Sequence, residues 1–236
     1  EKQRTSACRA RFSRLGRVRL TVLAGLQLGA AVTVACGQLV GAFLVLVADQ
    51  ILKIWVKTHM TMGQTIPVIG NWFLIRFIEN PGMAFGIDLP GTLGKPALTI
   101  FRLLAVVAII WYIHKLLQKK VPVGLIICIS LILAGAAGNI IDSAFYGLIF
   151  NESTYTTTAQ FFPEGGGYAS ILYGRVVDML YFPVINTHYP SWMPWVGGEE
   201  FVFFRPIFNI ADASISTGVI AILVFQKPFF KHEKEG

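Results

Sequence analysis

The chain of 236 residues is poor in the side chains that most often do chemistry: it has 13 acidic residues, four histidines and three cysteines. Cys8 falls in an Arg-rich arm, Cys36 and Cys128 fall in apolar runs, and no pair has metal-ligand spacing. A disulfide, a metal site and a cysteine nucleophile are therefore not expected, since nothing in the neighbouring sequence would lower a thiol pKa. A Gly-rich phosphate loop, a helical His pair, an internal repeat and a low-complexity tract are all missing, so nucleotide and metal chemistry are not supported and no cofactor is expected. Charge is scarce as well: 14% of positions are charged against 54% hydrophobic, with mean hydropathy +0.61. That balance is too apolar for an ordinary soluble domain of this size and reads as an integral membrane protein.

Long apolar runs are what the chain does have, at residues 20 to 48, 97 to 113, 121 to 141 and 206 to 226, the last interrupted by Asn209 and Asp212. Each is near or above the roughly 17 to 25 residues a helix needs to cross the hydrocarbon. The net charge of +7 does not require a nucleic-acid partner, because the cations follow membrane sidedness. Thirteen of the 20 Lys and Arg lie before the first run, between the second and third, or after the fourth. Both termini are expected to be cytoplasmic, and residues 58 to 96 and 143 to 205 to face outward.

Residues 1 to 37 comprise the Arg-rich arm and the start of an apolar stretch longer than one span requires, and residues 227 to 236 form a basic tail. The first functional helix is expected from about Gly37 to Lys57. Between Thr65 and Ile78 the sequence is β-prone and bounded by turn residues, which predicts a small sheet. The outward segment holds two aromatic, Gly/Pro-rich stretches, Phe161 to Tyr168 and Tyr181 to Gly198. These suit either a lid hinged at Gly165 to Gly167 and Gly197-Gly198 or a fixed interfacial platform.

Four aspartates sit at the edges of apolar runs: Asp49, Asp142, Asp178 and Asp212. A carboxylate at membrane depth costs several kcal/mol unless paired, hydrated or protonated, which makes each a functional-site candidate. Asp178 and Asp212 are the expected catalytic pair. Two carboxylates sharing one proton hydrolyse a peptide bond without metal or covalent intermediate: the ionised one takes a proton from water while the protonated one polarises the carbonyl. Asp212 is expected about a turn and a half into the fourth span. As ordinary polar residues, the same aspartates would cap helices or neutralise Arg175 and Arg205. Asn80, Asn139 and Asn209, also at outward ends of apolar runs, converge on the same depth, which capping alone does not explain. A proton-coupled transporter would also use intramembrane carboxylates, but it predicts acids deep in the spans and a repeated helical pattern. A non-enzymatic scaffold leaves the aspartates without a role.

Five ordered motifs resemble those of the lipoprotein signal peptidases, the type II signal peptidases of bacteria: Asp49-Gln50-Ile51-Leu52-Lys53, Asn80-Pro81-Gly82-Met83-Ala84-Phe85, Gly138-Asn139-Ile140-Ile141-Asp142, Val176-Val177-Asp178-Met179 and Phe208-Asn209-Ile210-Ala211-Asp212. The resemblance spans roughly residues 38 to 226. It implies four transmembrane helices with a small periplasmic β-cradle and a periplasmic loop or helix over the site. It also implies an inner-membrane, monomeric aspartyl endopeptidase, open to inhibition by globomycin, that cleaves a membrane-bound prolipoprotein before its diacylglyceryl-modified cysteine. Asp178 and Asp212 match the family's catalytic aspartates and Asp49 and Lys53 a structural pair. Asn80, Gly82, Asn139, Asp142 and Asn209 fall in motifs that bind the substrate backbone or support the site. Where the family usually has Arg after the third motif's Asp, this chain has Ser143, and Arg175 is the expected substitute. The stretch Thr33-Val34-Ala35-Cys36-Gly37 also has the outline of a lipoprotein signal with its lipid-accepting cysteine, but the apolar run continues unbroken to Ala48, which favours one long first helix.

Overall fold

A computed structural model describes residues 37–81, 94–119, 121–183, 185–203 and 206–230. The Arg-rich arm, Cys8, Cys36, Gly82, Arg205 and most of the basic tail lie outside the described residues.

Helix α1 (Gly37–His59), helix α2 (Gly94–Leu117) and helix α3 (Val123–Ile149) are each long and apolar enough, in whole or in large part, to cross a membrane. Large apolar side chains such as Leu39, Phe43, Phe101, Leu104, Val107 and Trp111 are exposed along α1 and α2, as expected of helices whose outer faces meet lipid rather than water. The fourth apolar helix, α4 (Ile210–Val224), has 15 residues, and a short helix α5 (Gln226–Phe230) follows it. The sequence places the fourth apolar run from residue 206. The chain instead enters it through a two-residue strand, because an extended Asn209 closes the helix start with its side chain.

Helix α3 outruns its expected end at residue 141. It passes through a π-helical turn at Asp142–Tyr146 and finishes at Ile149, so Ser143 is buried in the helix rather than starting a loop. Its hydroxyl donates to the Asn139 carbonyl at 2.9 Å, a local bond that competes with regular backbone pairing and accompanies the wider turn. The α3 face toward α4 is built from small residues. A Cβ on Gly135 would lie 2.2 Å from the Ala211 carbonyl oxygen, and one on Gly138 would lie 2.8 Å from an Asp49 carboxylate oxygen. Glycine at these two positions is what lets three backbones converge at one level.

The β-prone region forms β1 (Thr65–Ile69) and β2 (Phe73–Asn80), an antiparallel pair. Strand β3 (Val176–Tyr181) adds to β2, and β6 (Ile207–Phe208) to β3, giving the order β1-β2-β3-β6. A separate hairpin of β4 (Ile185–His188) and β5 (Glu200–Phe203) stands between β3 and β6 in sequence, and among the described residues the segment from 150 to 203 contains no helix. Its connection carries Trp192 and Trp195, both strongly exposed, whereas Tyr168 packs on the buried core. That core consists of Val56 of α1, Met60 just after it, Phe77 of β2, Tyr146 of α3, Phe150, Ala159, and Val177 and Met179 of β3. It locks the sheet to one end of the helices.

Candidate active site

Register brings the first residues together. Ile78 of β2 pairs with Asp178 of β3, so Asn80, two residues on, presents its side chain to the same face as Asp178 and hydrogen-bonds its carboxyl group. Asp212 arrives from the opposite side. It is the third residue of α4, not a turn and a half deep in a span, and it forms a reciprocal capping box with Asn209. The Asp212 amide donates to Asn209 Oδ1 at 2.8 Å, and the Asn209 amide donates to Asp212 Oδ2 at 3.4 Å. The side-chain amide of Asn209 donates to Asp178 Oδ1 at 2.7 Å. One buried asparagine therefore holds both carboxylates.

Asn139 completes the frame from α3: its amide donates to Asp212 Oδ1 at 2.8 Å, while its own oxygen accepts from Asn209 at 3.2 Å and from Lys53 at 3.0 Å. Behind it sits a closed ionic knot. Lys53 Nζ lies 2.8 Å from both Asp49 and Asp142, with all three side chains at 0 to 1% exposure. Asp49 accepts the Ala211 backbone N–H at 2.9 Å and Asp142 accepts from Gln50 at 2.9 Å and from the Val177 N–H at 3.3 Å. The i, i+4 spacing on α1 pairs Lys53 with Asp49 alone. Its second partner, Asp142, comes from 89 residues away and depends on the close approach at Gly138.

Asp178 and Asp212 share one cavity of about 440 Å³ with Asn80, Arg102, Asn139, Val176 and Ser216 among its lining residues. Burial there, with the Asp212 charge adding to it, pushes the Asp178 carboxyl up to about 7, against weaker opposition from Lys53 and the amides of Asn209 and Asn80. A carboxyl that keeps its proton near neutrality next to a second carboxylate is the requirement for acid–base hydrolysis without a metal. Among the described residues no group of three or more His, Cys, Asp or Glu could hold a metal ion.

Arg175 is not brought to this cavity. Its guanidinium bonds Glu79 at 3.1 Å and Glu152 at 3.0 Å and stacks on the Tyr168 ring, while Glu79 also pairs with Lys57, which donates to Ser153 at 2.9 Å. This second ionic cluster ties the segment after α3 to β2 and α1. Lys57, one helical turn beyond Lys53 on α1, was the available signal for it. Arg175→Ala is expected to lower thermal stability by about 1 kcal/mol through its lost bonds to Glu79 and Glu152, and to leave KM for substrate unchanged. A raised KM at unchanged stability, measured by peptide cleavage and thermal unfolding in detergent, would return Arg175 to the site. The residue that sequence reasoning missed at the cavity is Arg102 of α2. A lone cation inside an apolar run was the signal that could have found it.

Residues 41–227 match the family model described as Signal peptidase (SPase) II. The chain is 52% identical over 191 residues to the lipoprotein signal peptidase of Porphyromonas gingivalis, covering 80% of this chain and 82% of that protein. It is 41% identical to that of Amoebophilus asiaticus, covering 81% and 80% respectively. The fold is similar to that of a solved bacterial membrane enzyme, determined by the in meso method at 2.3 Å resolution, with a TM-score of 0.52 and 26% identity over 81% of this chain and 88% of the other.

Proposed function

Because this chain belongs to the signal peptidase II family, we propose that it is an aspartic endopeptidase that removes signal peptides from bacterial prolipoproteins, cleaving before the diacylglyceryl-modified cysteine. The observation that carries the aspartic mechanism is the convergence of Asp178 and Asp212, from different elements, on one cavity with Asn209 bonded to both. Asp178, raised by burial, carries the proton, and Asp212 is the base. Asp212 takes a proton from water as the oxygen attacks the scissile carbonyl, and Asp178 gives its proton to the carbonyl oxygen. As the tetrahedral intermediate collapses, Asp212 passes its proton to the leaving nitrogen and Asp178 recovers one from the intermediate's hydroxyl, so the pair ends as it began. Asn139 and Asn209 fix both carboxylates, and the Lys53 knot holds α1, α3 and α4 in register behind them.

Four helices then lie in the bacterial inner membrane, with both termini in the cytoplasm and the sheet, with the hairpin bearing Trp192 and Trp195, at the periplasmic face. Trp suits a headgroup boundary, where a ring is half in lipid and half in water. The protein works as a monomer, with the substrate's acyl chains remaining in the bilayer. Cleavage of a diacylglyceryl-cysteine peptide by the purified chain in detergent tests the function; an intact peptide after prolonged incubation would overturn it.

The pH profile follows from the same site. Asp178 must hold its proton to act as acid; it does so below about 7 and loses it as pH rises through that value. The rate of cleavage should therefore fall on the alkaline side with a limb near neutrality, a macroscopic property of the pair. A rate that stays flat well into the alkaline range would contradict the assignment of Asp178 as acid.

A further inference from the structure

Three walls of the Asp178–Asp212 cavity are already committed to one another. The sheet gives Asn80 and Asp178, α3 gives Asn139, and α4 gives Asp212, and their amides are spent on the two carboxylates. From the fourth side α2 contributes Arg102, half-buried, the one cation among the described residues lining this cavity. Arg102 feels the negative charges of Asp212, Asp142 and Asp178, yet among the described residues no ion pair joins it to any of the three. A guanidinium in an apolar helix is costly unless it faces a cavity with work for its donors. A carboxylate pair and occupied amides leave a bound peptide short of donors for its carbonyl oxygens. Arginine supplies five N–H groups in a rigid plane and cannot give up its charge.

We propose that Arg102 is a substrate-positioning residue, whose guanidinium holds a carbonyl oxygen of the bound prolipoprotein across the cavity from the Asp178–Asp212 pair. This rests on the peptidase reading above. The carbonyl belongs either to the peptide backbone or to an ester of the diacylglyceryl group. Both offer the same acceptor.

The test uses full-length protein in detergent and a fluorescent diacylglyceryl-cysteine peptide. Asp178→Asn serves as the non-cleaving parent, and its Kd is compared with that of Asp178→Asn carrying Arg102→Gln. The added substitution is expected to weaken binding about tenfold or more, the effect of losing a charge-assisted hydrogen bond. Arg102→Lys, which keeps the charge without the planar fork, should recover part of the loss and guards against a Gln variant that fails to fold. In the active enzyme Arg102→Gln should raise KM more than it lowers kcat. A dialkyl-ether version of the peptide, which lacks ester carbonyls, separates the two acceptors: a persisting loss assigns the backbone carbonyl, a vanishing loss the ester. Equal affinity of parent, Gln and Lys variants, with the wild-type chain cleaving normally, would overturn the role of Arg102 alone. A wild-type chain that neither binds nor cleaves the peptide would instead overturn the peptidase reading and this inference with it.

Discussion

Asp178→Asn and Asp212→Asn are each expected to abolish cleavage, a loss of at least about 10²- to 10⁴-fold from removal of one general acid or base. An amide is close in shape to the carboxyl it replaces but can neither take nor surrender the shared proton. The fold should survive, because the amide oxygen introduced by Asp178→Asn still accepts from Asn209, and the one introduced by Asp212→Asn still accepts from Asn139. Stability makes the first variant diagnostic. The folded-state value of Asp178, about 7, lies above the ordinary carboxylate value of about 3.9, so the native state binds the proton more tightly than the unfolded chain. The wild type therefore loses stability as pH rises between those two values, and Asp178→Asn, with no proton to lose, does not. Above neutrality the variant should unfold at or above the wild-type temperature while cleaving nothing. Near wild-type turnover by either variant would remove the pair from the mechanism.

Lys53→Met is expected to have the largest effect on folding. It leaves Asp49 and Asp142, at 1% and 0% exposure, without the ammonium that each meets at 2.8 Å. Uncovering a buried charge in this way costs about 3 to 5 kcal/mol, comparable with the whole stability of many domains. The damage also spreads, because Asp49 anchors the first turn of α4 through the Ala211 N–H and Asp142 anchors β3 through the Val177 N–H. The measurable consequence is a collapse in the yield of monodisperse protein extracted in mild detergent, with partial recovery in Lys53→Met/Asp142→Asn, which removes one of the two stranded charges. Full yield from Lys53→Met would show that the knot is dispensable.

The sequence by itself determined the solvent and the inventory. Apolar run length and the placement of Lys and Arg read as a membrane protein, because hydrocarbon tolerates few unpaired polar groups. The Asp and Asn residues stood out for the same reason: each is expensive where it lies. β-prone residues bounded by turn residues from Thr65 to Ile78 were enough to expect strands, and β1 and β2 are there. Run length could not say where a helix truly begins or ends. A buried Ser143 and a π turn carry α3 on to Ile149, and an Asn209 cap starts α4 four residues after the apolar run opens. Nor could the sequence assign partners. Arg175 goes to Glu79 and Glu152 and Arg102 goes to the carboxylate cavity, each decided by contacts between residues distant in the chain. Only the tertiary structure turned a list of costly polar residues into one site, because charge pairing in a low-dielectric interior is settled by which backbones approach closely enough, here at Gly135 and Gly138.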